Sequence, residues 1–184
     1  MASEATSSTA PGQRESRPMD QVVKAALEGW DIKYQDVPAE KCQTNVPLIT
    51  FGLNGQASNY QVLLSMDLVD DIFALYYTSP TKIDERHRPA VVEYFMRINY
   101  NVMLGHFDLD QRDGEVRFKV STITKGSFLS IEMVQHMIGV ATNTMDKFFP
   151  GLMAIQYGNK TPLEALNEIN NEATVQRSSE QGAR

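Results

Sequence analysis

The sequence is poor in several features on which common chemistries depend. It has one cysteine, Cys42, in 184 residues, which excludes an intrachain disulfide framework and a zinc cluster of cysteine ligands. The eleven glycines are scattered singly, so the chain has neither a P-loop nor a dinucleotide-binding glycine motif. We therefore expect no nucleotide cofactor, and we interpret Cys42 as a small buried or half-buried apolar residue.

Long apolar runs and excess positive charge are also missing. The longest apolar stretches, such as residues 62–64 and 72–77, are far shorter than the roughly 20 residues of a membrane-spanning helix. The net charge of −6 argues against a nucleic-acid partner, because such proteins use Lys and Arg to neutralise phosphates. The N-terminus shows no basic start followed by an apolar segment, so we expect a cytoplasmic protein.

Catalytic and metal-binding motifs are absent as well. His87, His106 and His136 lie on three different predicted elements, without the spacing that places two histidines on one face of a helix around zinc. The acidic turn from Asp108 to Gly114 does not have the ligand spacing of a calcium loop. No G-x-S-x-G motif occurs for a serine nucleophile. The sequence thus predicts a non-enzymatic protein that needs neither metal nor cofactor.

The composition is that of a globular domain with two polar tails. Hydrophobic residues make up 42% of the chain and charged residues 22%, close to globular averages. Residues 1–17 and 174–184 have little to bury, so we predict that both tails are disordered. Between them we predict one α+β domain over residues 18–157 and a C-terminal helix over 158–173.

The hydrophobic pattern predicts an antiparallel sheet with helices packed on it. Helical spacing predicts helices near residues 19–30, 84–99, 131–149 and 162–173, with Pro150 ending the third. Period-2 alternation predicts strands near 32–37, 48–53, 60–68 and 72–78, and a hairpin of 102–109 with 115–122. The order is α-β(3-4)-α-β-β-α plus a short C-terminal helix. The strand at 72–78 is apolar at nearly every position, which predicts a central strand covered on both faces.

The helical patterns also predict which side chains face the core. The second helix should bury Val91, Val92, Phe95 and Met96. Nine methionines leave two interpretations open, because methionine fills gaps in a core but also forms surfaces that adapt to partners. The buried stripe predicted for the third helix comprises Val134, Met137, Ile138, Ala141, Met145 and Phe148.

The hairpin region resembles the core signature of the YbjN family. That signature has an Asn-Tyr pair, a Gly-x-Phe on the next strand, and an Asp-Gly-Glu that leads a strand with an aromatic residue. Gly105 permits a close backbone approach, Gly114 supplies a positive φ in the turn, and Phe107 can pack across the hairpin on Phe118. The matching residues are Asn99, Tyr100, Gly105, Phe107, Asp113, Gly114, Glu115 and Phe118.

The resemblance covers residues 20–155 and is greatest to the cyanobacterial and plant-type branch of the family. It implies a fold similar to type III secretion chaperones, which are small α+β proteins that often dimerise and bind partner polypeptides. It also implies a non-enzymatic role, since bacterial members of the family are linked to stress responses, motility and sensory regulation.

Two classes of function follow. The first is a protein-binding module, a chaperone-like adaptor or regulator, whose partner is an unidentified protein. The C-terminal helix and an outward strand face offer contacts for that partner. The alternative is a small-ligand sensor with a pocket between sheet and helices, in which Tyr60, His106 or Arg117 orients the ligand. The residues we predict to bind the protein partner are Leu163, Leu166, Ile169, Arg117 and Lys119.

Overall fold

The computed structural model of the chain describes residues 18–38, 46–125 and 128–171. Both predicted tails, Cys42 and the last two residues of the predicted C-terminal helix lie outside the described residues. The described residues form a six-stranded antiparallel sheet with four α-helices, which confirms the predicted α+β class. In these three ranges no helix is long and apolar enough to cross a membrane.

The sheet is a meander that is extended at one edge by a hairpin. Its strand order is β1-β2-β3-β4-β6-β5, and every neighbouring pair is antiparallel. The strands are β1 (Gln35–Val37), β2 (Leu48–Asn54), β3 (Asn59–Asp67), β4 (Ile72–Thr78), β5 (His106–Leu109) and β6 (Val116–Ile123). The helices are α1 (Met19–Glu28), α2 (Arg88–Asn99), α3 (Ile131–Gly158) and α4 (residues 162–171).

One face of the sheet forms the core with all four helices. Alternate residues of the strands point to this face, and the register places Val62 beside Tyr77 and Tyr77 beside Phe118. A single cluster of buried apolar residues joins these side chains to the helices, including Ala165 and Ile169 of α4. The C-terminal helix therefore packs into the same core as the rest of the fold.

The opposite face of the sheet, which we call the open face, has no helix on it in the described part of the chain. One row across it runs through Thr50, Leu63, Tyr76, Lys119 and His106. β4 is central, as predicted, but the described elements cover only one of its faces, so Ile72 and Tyr76 remain half-buried. The apolar run of this strand therefore does not require a second helical layer.

The predicted end of α3 at Pro150 is wrong, because the helix continues to Gly158. Proline inside a helix removes one hydrogen bond and costs about 3 kcal/mol. The residues beyond it, including Leu152 and Ile155, are buried in the core, and this burial offsets the cost. The helix ends where Asn159 adopts the left-handed conformation (φ 54°) and the amide of Lys160 donates to the carbonyl of Ala154, a common helix terminus.

The buried face of α2 also differs from the prediction. Val91 and Phe95 are buried as expected, but Val92 is 38% exposed and Met96 is 65% exposed. Tyr94 and Ile98 take their places in the core, so the helix is rotated about its axis relative to the predicted face. This rotation brings Met96 to the molecular surface.

Three buried tyrosines attach α3 to the rest of the fold. The hydroxyl of Tyr60 donates to Asp146 (2.8 Å), that of Tyr77 to the carbonyl of Ile138 (3.1 Å), and that of Tyr94 to the carbonyl of Phe148 (2.9 Å). Burial is the main cause that raises the pKa of all three hydroxyls, and it brings the pKa of Tyr77 to about 12. The three contacts position α3 across the sheet.

Candidate functional site

The hairpin that carries the family-like residues is stabilised by an unusual edge contact. The side chain of Asn99 accepts a hydrogen bond from the amide of Phe107 (2.8 Å) and donates one to its carbonyl (3.1 Å). The amide group of Asn99 therefore pairs with the outer edge of β5 as a neighbouring strand would. This contact fixes the end of α2 against the hairpin.

Gly105 and the aromatic cluster beside it shape the segment that joins α2 to β5. Gly105 has a positive φ of 84°, and a Cβ atom there would lie 2.6 Å from the ring of Phe118. The ring of Phe107 stacks on Phe95 and also contacts Phe118, with both centroid distances 4.8 Å. Because the backbone turns at Gly105, β5 begins at His106 rather than at the predicted Val102, and residues 100–104 run along the surface.

Several large apolar side chains are exposed around this segment. Tyr100 is 89% exposed and lies with Met96 of α2 around one cavity, and Met103 is fully exposed. Met133 at the start of α3 is 38% exposed. The three exposed methionines of the described residues thus lie around one region, whereas Met66, Met137 and Met145 are buried. The core interpretation of the methionine content is therefore correct for Met66, Met137 and Met145, while the exposed methionines keep the partner interpretation open.

Two adjoining cavities lie beside the segment and share Leu104 and His136. We call them together the methionine groove. The first has a volume of about 490 Å³ and is lined by Leu104, Ser121, Thr122, Glu132, Met133, His136 and Met137. The second has a volume of about 670 Å³, and its lining includes Val102, Met103, Val140, Lys147, Phe148 and Leu166.

The cations of the groove, Arg97 and Lys147, lie at its second cavity, whereas Glu132 lines the first. Arg97 forms an ion pair with Glu93 (2.7 Å) on the same helix. The amine of Lys147 lies 4.9 Å from the centroid of the Phe148 ring and forms no ion pair with any residue that the structure describes. The groove therefore combines apolar side chains with a carboxylate at the first cavity and cations at the second, and an acidic residue of a partner suits the second cavity. No group of three or more His, Cys, Asp or Glu side chains is placed to hold a metal within the described ranges.

The residues predicted on the C-terminal helix have different environments. Leu166 lines the second cavity of the groove. Leu163 is 49% exposed, whereas Ile169 is only 7% exposed and its Cδ1 atom lies close to Gly151. Burial of Ile169 leaves little of its side chain for contact with a partner, so Leu166 is the residue of the three that contributes to the groove.

The other predicted site residues lie away from the groove. Arg117, Lys119 and His106 are on the open face, where Arg117 pairs with Glu115 and the amine of Lys119 lies 5.5 Å from the centroid of the Tyr76 ring. Tyr60 is on the core face, bonded to Asp146. The structure therefore does not bring Tyr60, His106 and Arg117 into one cavity.

Sequence reasoning did not identify the groove, because its lining comes from α2, the 100–105 segment, β6, α3 and α4. One pattern in the sequence could have indicated the apolar surface at its second cavity, which includes Met103. Met96, Tyr100 and Met103 follow each other at intervals of four and three residues, which places them on one side of a helix end and the turn after it. This stripe is separate from the one that α2 buries.

The comparison with known families matches a range of the chain that includes the hairpin. The YbjN family, described as "Putative bacterial sensory transduction regulator", matches residues 42–154, more than half of the chain. This range contains the Asn99 contact, Gly105, the aromatic cluster and most of the groove. No curated protein matches the chain significantly.

Proposed function

The chain belongs to the YbjN family, and we propose that it is a non-enzymatic cytoplasmic regulator that binds a segment of another polypeptide in the methionine groove. The family description supports a regulatory role. The binding mode, the absence of catalysis and the compartment are our proposal.

The observation that carries the proposal is the convergence of exposed apolar side chains on one concave surface. Met103 and Met133 are exposed in the groove, and Met96 and Tyr100 are exposed in a cavity that adjoins it, although exposed apolar side chains gain nothing for folding. Flexible methionine side chains can repack around different apolar groups. An apolar groove of this kind is typical of a site for a polypeptide segment.

The occupant is best explained as a segment of a different protein. The parts of this chain outside the described residues, 1–17, 39–45, 126–127 and 172–184, contain few apolar residues, so none of them can fill the groove with large apolar side chains. Lys147, which forms no ion pair in the described ranges, favours an acidic residue in the partner. We therefore propose a partner segment that combines large apolar residues with at least one Asp or Glu.

Site-specific crosslinking in living cells tests this proposal. A photoreactive p-benzoylphenylalanine replaces Met103 in the groove or, as a matched control, Gln61, which is exposed on the open face. We expect one polypeptide to crosslink from Met103 and not from Gln61, because the first position lies in the groove and the second on the opposite face. The crosslinked segment, identified by mass spectrometry, should contain the apolar and acidic residues described above.

Binding of that segment to purified variants then completes the test. Met103→Glu should weaken binding because it places a charge among apolar contacts, while Gln61→Glu should leave binding unchanged. Equal crosslinking from both positions, or equal binding by both variants, would contradict the proposal. Light scattering of the same samples measures the mass, which tests the homodimer that the resemblance implies.

A small-ligand sensor remains the second candidate, and the first cavity is the observation that favours it. Its volume of about 490 Å³ lies within the range of ligand-binding pockets, roughly 300–1,000 Å³, and most of its lining is apolar. A metabolite that binds there should raise the melting temperature of the protein but not that of Met133→Glu. No shift across a broad metabolite panel would count against this candidate.

A further inference from the structure

The edge strand β5 covers only part of its neighbour β6. β5 pairs with residues 116–119 of β6, and its last pair toward the groove joins His106 to Lys119. The chain turns away at Gly105, where φ is 84°. In the described part of the chain, no strand lies beside the outer edge of β6 at residues 120–123.

The hydrogen-bond pattern identifies which backbone groups face this uncovered edge. The carbonyl of Val116 accepts from the amide of Ser79 (2.9 Å), and the amide of Thr124 donates to the carbonyl of Asp71 (2.7 Å), so even-numbered residues bond toward β4. Backbone groups alternate along an antiparallel strand. The amides and carbonyls of Ser121 and Ile123 therefore point outward, and no described residue forms a hydrogen bond with them.

The outer edge of β5, in contrast, is protected by a side chain. On the outer edge of β5, the side chain of Asn99 bonds both backbone groups of Phe107, and proteins commonly protect exposed edges in such ways. The edge at Ser121 and Ile123 has no equivalent side chain within the described ranges. An unprotected edge is a template for the addition of another strand.

This edge opens into the first cavity of the methionine groove. Ser121 and Thr122 form one wall of the cavity, while Leu104, Met133 and Met137 contribute apolar surface. The core-facing side chains of β6 are the even-numbered ones, including Val120 and Thr122. A residue of an added strand opposite Thr122 would therefore direct its side chain into the cavity, and its two neighbours would point toward the open face.

We infer that the partner segment binds as an extended strand added to β6 at Ser121 and Ile123, with one apolar side chain in the cavity between Leu104 and Met133. This inference rests on the proposed function and specifies the conformation of the partner. An α-helix bonds its own backbone groups and cannot pair with the edge, whereas an extended segment satisfies the edge and fills the cavity together. The apolar residue in this cavity then contributes specificity in addition to the acidic residue proposed above, and the backbone contacts add affinity for any sequence that can extend.

The test begins with a phage-displayed random-peptide library selected on the full chain. Selected peptides are synthesised, and their affinities are measured for the wild-type protein, Met133→Glu, Ser121→Pro and Ser121→Ala. Met133→Glu places a charge at the cavity and reports binding in the groove. Ser121→Pro removes one outward amide without removing a bond to β4, because that amide points away from β4.

Ser121→Ala keeps the amide and is the matched control. If the inference is correct, the selected peptides alternate apolar and polar residues. They should bind Ser121→Pro about tenfold more weakly than Ser121→Ala, the factor expected for a lost hydrogen bond with added crowding by the proline ring. Hydrogen exchange of the wild-type amides of Ser121 and Ile123 should slow when the peptide binds, and this measurement does not depend on the folding of the proline variant.

The outcomes of these experiments distinguish failure of strand addition from failure of the proposed function. Peptides that require Met133 but bind Ser121→Pro normally, or leave exchange at Ser121 and Ile123 unchanged, would overturn strand addition and leave the proposed function standing. Failure to select any peptide that is sensitive to Met133→Glu would overturn both.

Discussion

At the scale of single residues, the contact with Phe107 explains why residue 99, at the end of α2, is an asparagine. Its side-chain amide offers one donor and one acceptor in a fixed plane, as a peptide group does, and both are used by Phe107. An aspartate would keep the acceptor and lose the donor, and a leucine of similar size would lose both. The first residue of the family signature is therefore a substitute for a missing strand.

The Asn99→Ala variant should be less stable than the wild type by about 1–3 kcal/mol, because two backbone groups of Phe107 lose their partners at a half-buried site. The free energy of unfolding, measured by urea titration, checks this expectation. The matched control is Asn101→Ala, which removes an exposed hydrogen bond to the carbonyl of Arg97 and should change stability by less than about 0.5 kcal/mol. Equal effects of the two substitutions would show that the contact with Phe107 contributes little.

Some roles of single residues could be predicted from the sequence, and the reason is local. Gly114 follows Asp113 in a turn, and its predicted positive φ is confirmed at 77°. The predicted packing of Phe107 on Phe118 is also confirmed, because it follows from strand alternation. The role of Asn99 was not predicted. It depends on how α2 packs beside β5 in three dimensions, and a local sequence pattern does not determine that packing.

At the scale of elements, α3 continues through Pro150 because other elements pack on the helix both before and after this residue. Gly151 follows Pro150 directly, and a Cβ atom at this position would overlap the hydroxyl of Tyr94 and approach Cδ1 of Ile169 to 2.8 Å. α2 and α4 therefore meet α3 at the point where proline weakens it. The absence of a side chain at Gly151 permits this close approach.

Two glycine substitutions in α3 should have effects of opposite sign. Gly151→Ala should destabilise the protein by about 1–3 kcal/mol, because the added methyl group overpacks the contact with Tyr94. Gly139→Ala should stabilise it by about 0.5–1 kcal/mol, because nothing lies within 4 Å of the added Cβ atom and alanine favours a helix. Thermal melts of both variants measure the difference. A Gly151→Ala protein as stable as Gly139→Ala would mean that α2 and α4 can move away from α3 at no cost.

The elements that sequence reasoning predicted well are those with strong internal patterns. β4 was predicted as residues 72–78 and has these bounds, and the stripe predicted for α3 is buried throughout, from Val134 to Phe148. The end of α3 was missed because a local rule about Pro150 was given priority over the apolar spacing that continues through Leu152 and Ile155. The face of α2 was missed because Met96 and Tyr94 are similarly apolar, and only the tertiary contacts of the helix decide between them.

At the scale of the whole molecule, the candidate site lies where the ends of several helices and strands meet. The groove borders the uncovered end of β6, the start of α3 and the turn after α2. Each contributes a few residues that look ordinary in the sequence, such as Leu104 and Ser121. The sequence therefore predicted the class of fold and, by resemblance, a protein-binding role, but the candidate site could not be located without the topology that leaves β6 longer than β5.

The attachment of α3 through three tyrosines predicts a loss of stability in alkali. Burial raises the pKa of Tyr60, Tyr77 and Tyr94 in the folded protein, whereas the pKa of tyrosine in an unfolded chain is about 10. Below about pH 10 both states keep these protons, and their contribution to stability is complete. Above it the unfolded state releases protons that the folded state retains, so unfolding is favoured by up to about 1.4 kcal/mol per pH unit for each tyrosine.

Urea titrations at a series of pH values from about 9 to 11 measure this slope, and tyrosinate absorbance on unfolding counts the protons released. Tyr77→Phe should lower stability at neutral pH, because it removes the hydroxyl that bonds Ile138 and Thr142. Above pH 10 its stability should fall less steeply than that of the wild type, because one buried proton fewer distinguishes the two states. A slope that is the same in both proteins would show that the Tyr77 hydroxyl ionises as readily in the folded chain as in the unfolded one, and that α3 is not anchored through it.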